Sequence, residues 1–201
     1  TKEAFNGAEG VSFIPVFVNR EFVEWVPRTR GGGLAGKHKS SSSVVLTAKL
    51  KQQELDHAWN ELYANDHDSP KLRNELVETG LIYGLLVRED GSMARVCIPC
   101  KVTHLKAYKN FNSICADIPG NPPLFALKFK LETIEEQRNQ GNSFNWIMSF
   151  DGDSPNDYIM GQEDERFLKG AKFWEDLQAE LVTFDHGKTT EDPSEDDDTP
   201  F

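Results

Sequence analysis

Cys97-Ile-Pro-Cys100, His104 and Cys115 give the spacing C-x2-C-x3-H-x10-C, four soft or borderline ligands within nineteen residues. Such a set could hold a structural zinc ion. Cys97 also falls in an alternating stretch that would bury it as a small hydrophobe, and Pro99 works against a zinc knuckle. The expectation is no zinc and no other cofactor. Gly31-x-Gly33-x-x-Gly36 has the letters of a dinucleotide fingerprint, but Pro27-Arg-Thr-Arg30 makes a poor strand before it and Lys37-His-Lys39 a poor helix after it. As a P-loop, the same run needs Ser or Thr after Lys37 to hold magnesium, and His38 stands there. Asp151 to Asp157 has the acids of a calcium loop, with Pro155 where a ligand belongs. The five histidines, His38, His57, His67, His104 and His186, are scattered with no nucleophile or metal partner at catalytic spacing. No enzyme is expected.

Aromatic residues interleaved with cations are the remaining chemistry. Trp25, Arg28 and Arg30 lie together, followed by Lys37 and Lys39 in a loop rich in glycine and serine. Arg95, Lys101, Lys106, Tyr108, Lys109 and Phe111 form a second group, and Lys128, Lys130 and Trp146 a third. Every base has a π face and every nucleotide a phosphate. Such residues therefore suit single-stranded nucleic acid held without base-edge readout, at about 1–3 kcal/mol per stacked base. Phe125, Phe129, Trp59 and Trp174 are expected in the core. For Trp25, Tyr108 and Trp146, core and platform are equally open.

The net charge of −11 argues against a nucleic-acid binder until its distribution is seen. From Asp185 to Phe201 there are seven acids and one lysine, a net of −6. Arg20 to Lys51 and Gly91 to Leu131 each carry a net of +5, so one basic face is compatible with an acidic whole. No apolar run approaches the roughly 20 residues that span a bilayer, and no charged-then-apolar leader opens the chain. Three cysteines, an odd number, argue against a disulfide scaffold. A soluble protein of the cytoplasm is expected, with no membrane partner; a homo-oligomer is compatible with these features.

The tail ends Asp196-Asp-Asp-Thr-Pro-Phe201. A run of carboxylates has no apolar surface to offset its ordering entropy, but Phe201 beside the terminal carboxylate can be bound by a basic pocket with an apolar slot. This tip resembles that of bacterial single-stranded DNA-binding proteins, which end in acids, a hydrophobic residue, proline and phenylalanine. Phage proteins of the same function often have acidic tails ending in an aromatic. The resemblance covers only the tail. It implies an OB-like barrel that binds single-stranded DNA in replication, recombination or repair, from a phage or other mobile element acting in the host cytoplasm. It further implies that Asp196, Asp197, Asp198, Pro200 and Phe201 recruit replication or repair proteins. Thr199 departs from the larger apolar residue usual in bacteria, which bears on affinity for bacterial partners. The rival reading is an adaptor that does not bind DNA and captures such proteins through the tail.

The elements that must position these residues follow from periodicity. Val11–Val18 predicts a strand with Pro15 at an edge or bulge, residues 28–43 a loop, and Val44–Leu50 a second strand. Leu55, Ala58, Trp59, Leu62 and Tyr63 predict a helix, and Ser69-Pro70 starts another that ends at Gly80. Leu81–Arg88, Asp90-Gly91 and Ser92–Pro99 predict a hairpin. Strands are expected in Lys101–Tyr108 and Asn112–Ile118. The alternation of Phe125, Leu127, Phe129 and Leu131 with Lys128 and Lys130 predicts another, as does Ser143–Phe150. Phe167, Ala171, Trp174, Leu177 and Leu181 predict a final amphipathic helix. The expected class is mainly β with helical additions: one OB-like domain over residues 1–184, with a helical insertion and a C-terminal helix, and a disordered acidic tail over residues 185–201.

Overall fold

A long strand, β1 (Val11–Trp25), organises the sheet. The computed structural model describes residues 6–26, 28, 31–46, 74–138 and 141–180. Within them the other strands are β2 (Leu34–Lys39), β3 (Glu75–Val87), β4 (Met93–Lys101), β5 (Phe129–Arg138) and β6 (Gly141–Phe150). The helices are α1 (Leu105–Ala116), the single turn α2 (Pro155–Tyr158) and α3 (Glu165–Gln178). The chain is mainly β, as its alternating apolar segments predict. The spatial order is β4-β3-β1-β5-β6, all antiparallel, with β2 also paired to β1. Among the described residues β4 and β6 do not pair, so the sheet is open and the closure of the expected OB-like barrel, closed or nearly so, is not seen.

β1 is central because both of its edges are used. β3 runs along one edge from Ser12 to Trp25. On the other edge β5 pairs with Val11–Phe13 and β2 with Glu21–Trp25. The register against β3 shifts between Pro15 and Phe17, leaving Val16 as the extra residue of a bulge. A proline cannot donate to a ladder, so it is tolerated in a central strand at such a point.

Apolar residues fill both faces. Phe13, Ile82, Ile98, Cys100, Phe129, Leu131 and Met148 on one face are covered by Tyr108, Phe111 and Ile118 from α1 and the turn after it. Phe111 meets Phe129 edge-on at 5.1 Å. Gly80 lies under the Tyr108 ring, where a Cβ would come within 2.4 Å of the ring carbon Cγ; only glycine lets the helix sit this close. On the opposite face Ile14, Val16 and Leu85 are covered by Phe173 of α3 and by Met160. Asp164 caps α3, its side chain accepting from the Arg166 N–H at 2.8 Å.

The β3–β4 hairpin forms as predicted, with Gly91 at a φ of 79° in its turn. Four expectations are corrected. Residues 101–118, expected as strands, are mostly α1: Ala107, Tyr108, Phe111, Ile114, Cys115 and Ile118 recur at helical spacing. Residues 75–80, expected to end a helix, begin β3, because β1 offers them a full ladder. Val44 to Leu46, expected in a strand, lie in a helical turn over 43–46, where Val45 is fully buried. The glycine-rich loop holds β2. The turn before it needs left-handed backbone at Gly31, Gly32 and Gly33, with φ of 102°, 67° and 107°. The predicted helix at Leu55–Tyr63 lies outside the described residues. Phe129 is core as expected and Phe125 packs on Phe167, but Trp174 is 41% exposed because Phe173 takes the centre of the buried face of α3.

Candidate nucleic-acid interface

One register row crosses four strands: Lys39 on β2, Glu21 on β1, Thr79 on β3 and Lys101 on β4. Directly opposed residues in antiparallel strands share a face, so the four side chains stand on one side of the sheet, across about 14 Å. Lys37 and Trp25 share that side, two and four residues along from Lys39 and Glu21 in their own strands. The Lys101 ammonium lies 5.9 Å from the centroid of the Trp25 ring. Trp25 is 37% exposed and Lys101 is exposed. Lys37 is 3.7 Å from Glu21, a long ion pair at a half-exposed position. Arg28 is exposed at the β1–β2 turn, where its carbonyl accepts from the Gly31 N–H at 3.0 Å. Two segments far apart in sequence thus place an aromatic ring and three lysines on one surface.

The other candidates lie elsewhere. Lys106 and Lys109 are exposed on the outer face of α1. Tyr108, open between core and platform from the sequence, and Phe111, a candidate contact, are core residues, 7% and 1% exposed, because α1 turns them onto the sheet. Arg95 is committed to packing: its guanidinium lies 4.8 Å from the Phe173 centroid and 2.6 Å from Asp176. Trp146 packs partly buried against the α1-side core, 6.4 Å from His104. Lys130 pairs with Glu132 at 2.9 Å. Lys128 sits near Asp157 and Asp164, whose carboxyls are held below the usual range, first by bonds to Ser154 and Arg166 and in small part by this lysine. Arg30 and the tail residues Asp196, Asp197, Asp198, Pro200 and Phe201 lie outside the described residues.

The zinc candidates do not converge. Cys97 and Cys100 are three apart in β4, so their side chains leave opposite faces of the sheet. Cys100 enters the α1-side core, and Cys97 bonds to the Tyr83 hydroxyl on the other side. Burial pushes the thiols of Cys97 and Cys100 up to about 11 and that of Cys115 up to about 12. His104 keeps a buried Nδ1 with no hydrogen-bond partner, near Trp146.

A polar cluster escaped sequence reasoning. The Glu24 carboxylate is bound at Oε2 by His38 Nε2, at 2.8 Å, and at Oε1 by Asn74 Nδ2, at 2.6 Å. Those two bonds hold its carboxyl below the ordinary range, the one to Asn74 most strongly. The cluster ties β2 and the start of β3 to β1 on the α1 side. It joins residues far apart in the chain with no spacing motif, so only strand pairing reveals it.

Residues 1–183 match the family described as Pam3 phage gp34-like protein. The chain belongs to this family. The match takes in every described strand and helix and stops short of the acidic tip, so a phage protein is indicated by the body, independently of the tail. The family's description names no activity. No curated protein and no solved structure matches the chain. Among the described residues, no helix is long and apolar enough to cross a membrane.

Proposed function

We propose that this phage protein binds single-stranded DNA, with little sequence preference, across the surface formed by Trp25, Lys37, Lys39 and Lys101. Arg28 extends the surface at the β1–β2 turn. The observation that carries the reading is the Lys101 ammonium beside the exposed Trp25 ring, on the same face of the sheet as two further lysines. A ring flanked by cations takes a stacked base while ammonium groups neutralise the neighbouring phosphates. The three cations beside the ring are lysines, point charges suited to phosphates, so most contacts fall on features common to all nucleotides. An open sheet suffices for this, because stacking needs an exposed face and not a closed barrel. The acidic tip ending in Phe201 then recruits replication or repair proteins and competes with DNA for the same lysines.

A titration of single-stranded against duplex oligonucleotides tests this reading. Single strands should bind more tightly. With three or four phosphate contacts, log affinity should fall against log salt with a slope of about −2 to −3. Equal affinity for duplex, or no binding at low salt, overturns it and leaves the tail-bearing adaptor.

A further inference from the structure

Val102 sits in strained backbone, and the fold gains no packing from it. It follows the last residue of β4, in the short turn Val102–His104 that leads into α1, and its φ is 51°. Among the described residues Val102, Asn121 and Glu180 are the non-glycines with positive φ. Asparagine tolerates that region, and Glu180 follows α3, where left-handed backbone commonly ends a helix. A β-branched side chain is among the poorest choices for it. Burial does not offset the strain, because Val102 is 73% exposed. Glycine would make the same turn, closed by the Leu105 N–H on the Val102 carbonyl, without the steric cost. Strain held with no return in packing points to a contact outside the fold.

The surroundings give that contact its chemistry. From Lys101 to Ala116 the chain carries three lysines and no acid, in a protein of net charge −11. The Lys101 ammonium lies beside Trp25 on one side of the sheet. Lys106 and Lys109 are exposed on the outer face of α1, which covers the other side. Val102 stands where the chain passes between the two. We propose that single-stranded DNA continues from the sheet surface around the end of β4 onto α1, with a base packed on Val102 and phosphates at Lys106 and Lys109. An apolar side chain flanked by cations suits a base flanked by phosphates. The proposal rests on the DNA reading above and extends its path to two lysines that the sheet surface leaves unused.

Denaturant melts and salt-series titrations of the full chain test it. Val102→Gly should be no less stable than wild type, because the strain is relieved, yet bind single strands roughly five- to tenfold more weakly, the scale of a partly buried valine. Val102→Ile keeps an apolar β-branched side chain and should bind as wild type does. On oligonucleotides long enough to reach α1, Lys106→Ala and Lys109→Ala should each lower the salt slope by about 0.7. A wild-type chain that binds no single strands ends the DNA reading and this extension with it. Where wild type binds, Val102→Gly of equal affinity, or salt slopes unchanged in both lysine variants, overturns the extension alone. A Val102→Gly chain that unfolds more readily than wild type also overturns it, by making Val102 a residue of the fold.

Discussion

Lys101 ends β4 and Trp25 ends β1, yet the ammonium of one lies 5.9 Å from the ring centroid of the other, across the intervening β3. Antiparallel pairing of β1 and β4 to opposite sides of β3 makes those two C-terminal ends run the same way. The contact is therefore a consequence of topology, and it turns two unrelated basic-aromatic stretches into one surface.

Trp25→Ala should weaken single-stranded DNA binding by about 1–3 kcal/mol, the scale of one lost stacking partner. Lys101→Ala should weaken it less and lower the salt slope by about 0.7, one phosphate contact on a single strand. Fluorescence anisotropy across a salt series measures both. Unchanged affinity for Trp25→Ala would move the platform elsewhere.

Phe111→Ala should cost about 3–5 kcal/mol of folding stability, the usual range for truncating a buried phenylalanine. Its ring is 1% exposed and packs edge-on against Phe129. DNA affinity of the folded fraction should not change. Denaturant melts combined with binding below the transition separate the two effects.

The three thiols predict an alkaline limb. Their ordinary value is 9.0, and burial raises the folded values to about 11, 11 and 12. Below 9 both states hold the protons and stability is unaffected. Above it, the unfolded chain ionises first, so stability falls as pH rises toward the folded values. Replacing Cys100 by Ala should flatten part of that limb while lowering stability at neutral pH. Thiol reagents at neutral pH should react slowly with the folded chain and readily in denaturant, because thiolate is scarce and the cysteines are buried or half-buried.

Removing Glu191–Phe201 should tighten DNA binding and abolish partner recruitment. The tail is a tethered polyanion with an effective concentration on the order of millimolar at the lysines, and salt should mask the effect. Phe201→Ala keeps every carboxylate, so DNA affinity should hold while partner binding loses about 2 kcal/mol or more. Partner binding by Phe201→Ala equal to wild type would reduce the tail to a solubiliser.

Much of the sheet was legible because its strands alternate or run apolar between turn signals. The β3–β4 hairpin announces itself through Asp90-Gly91, and the α3 helix through its apolar stripe. α1 was legible in principle. Its residues at 107, 108, 111, 114, 115 and 118 keep a helical period, but short β-like fragments at each end drew it into a strand reading. β2 was hidden because Leu34–Lys39 has little apolar character; it is a strand only because β1 offers its edge. For the site, Trp25, Arg28, Lys37, Lys39 and Lys101 could be named from composition. Tyr108, Phe111 and Arg95 could not be excluded, since burial under α1 and packing against α3 are tertiary facts.

The bulge at Pro15–Phe17 divides β1 into two stretches with different histories during synthesis. The later stretch, Glu21–Trp25, can fold back on β2 as soon as Lys39 leaves the ribosome. The earlier one, Phe13 to Val16, carries the most deeply buried side chains of the strand, and its partners Gly84, Leu85, Leu86 and Phe129 are translated much later. Until they appear, the nascent chain displays an unpaired apolar strand. At that moment dependence on a host chaperone should be greatest, and Pro15, unable to donate to a neighbouring ladder, makes the exposed stretch a poor seed for aggregation.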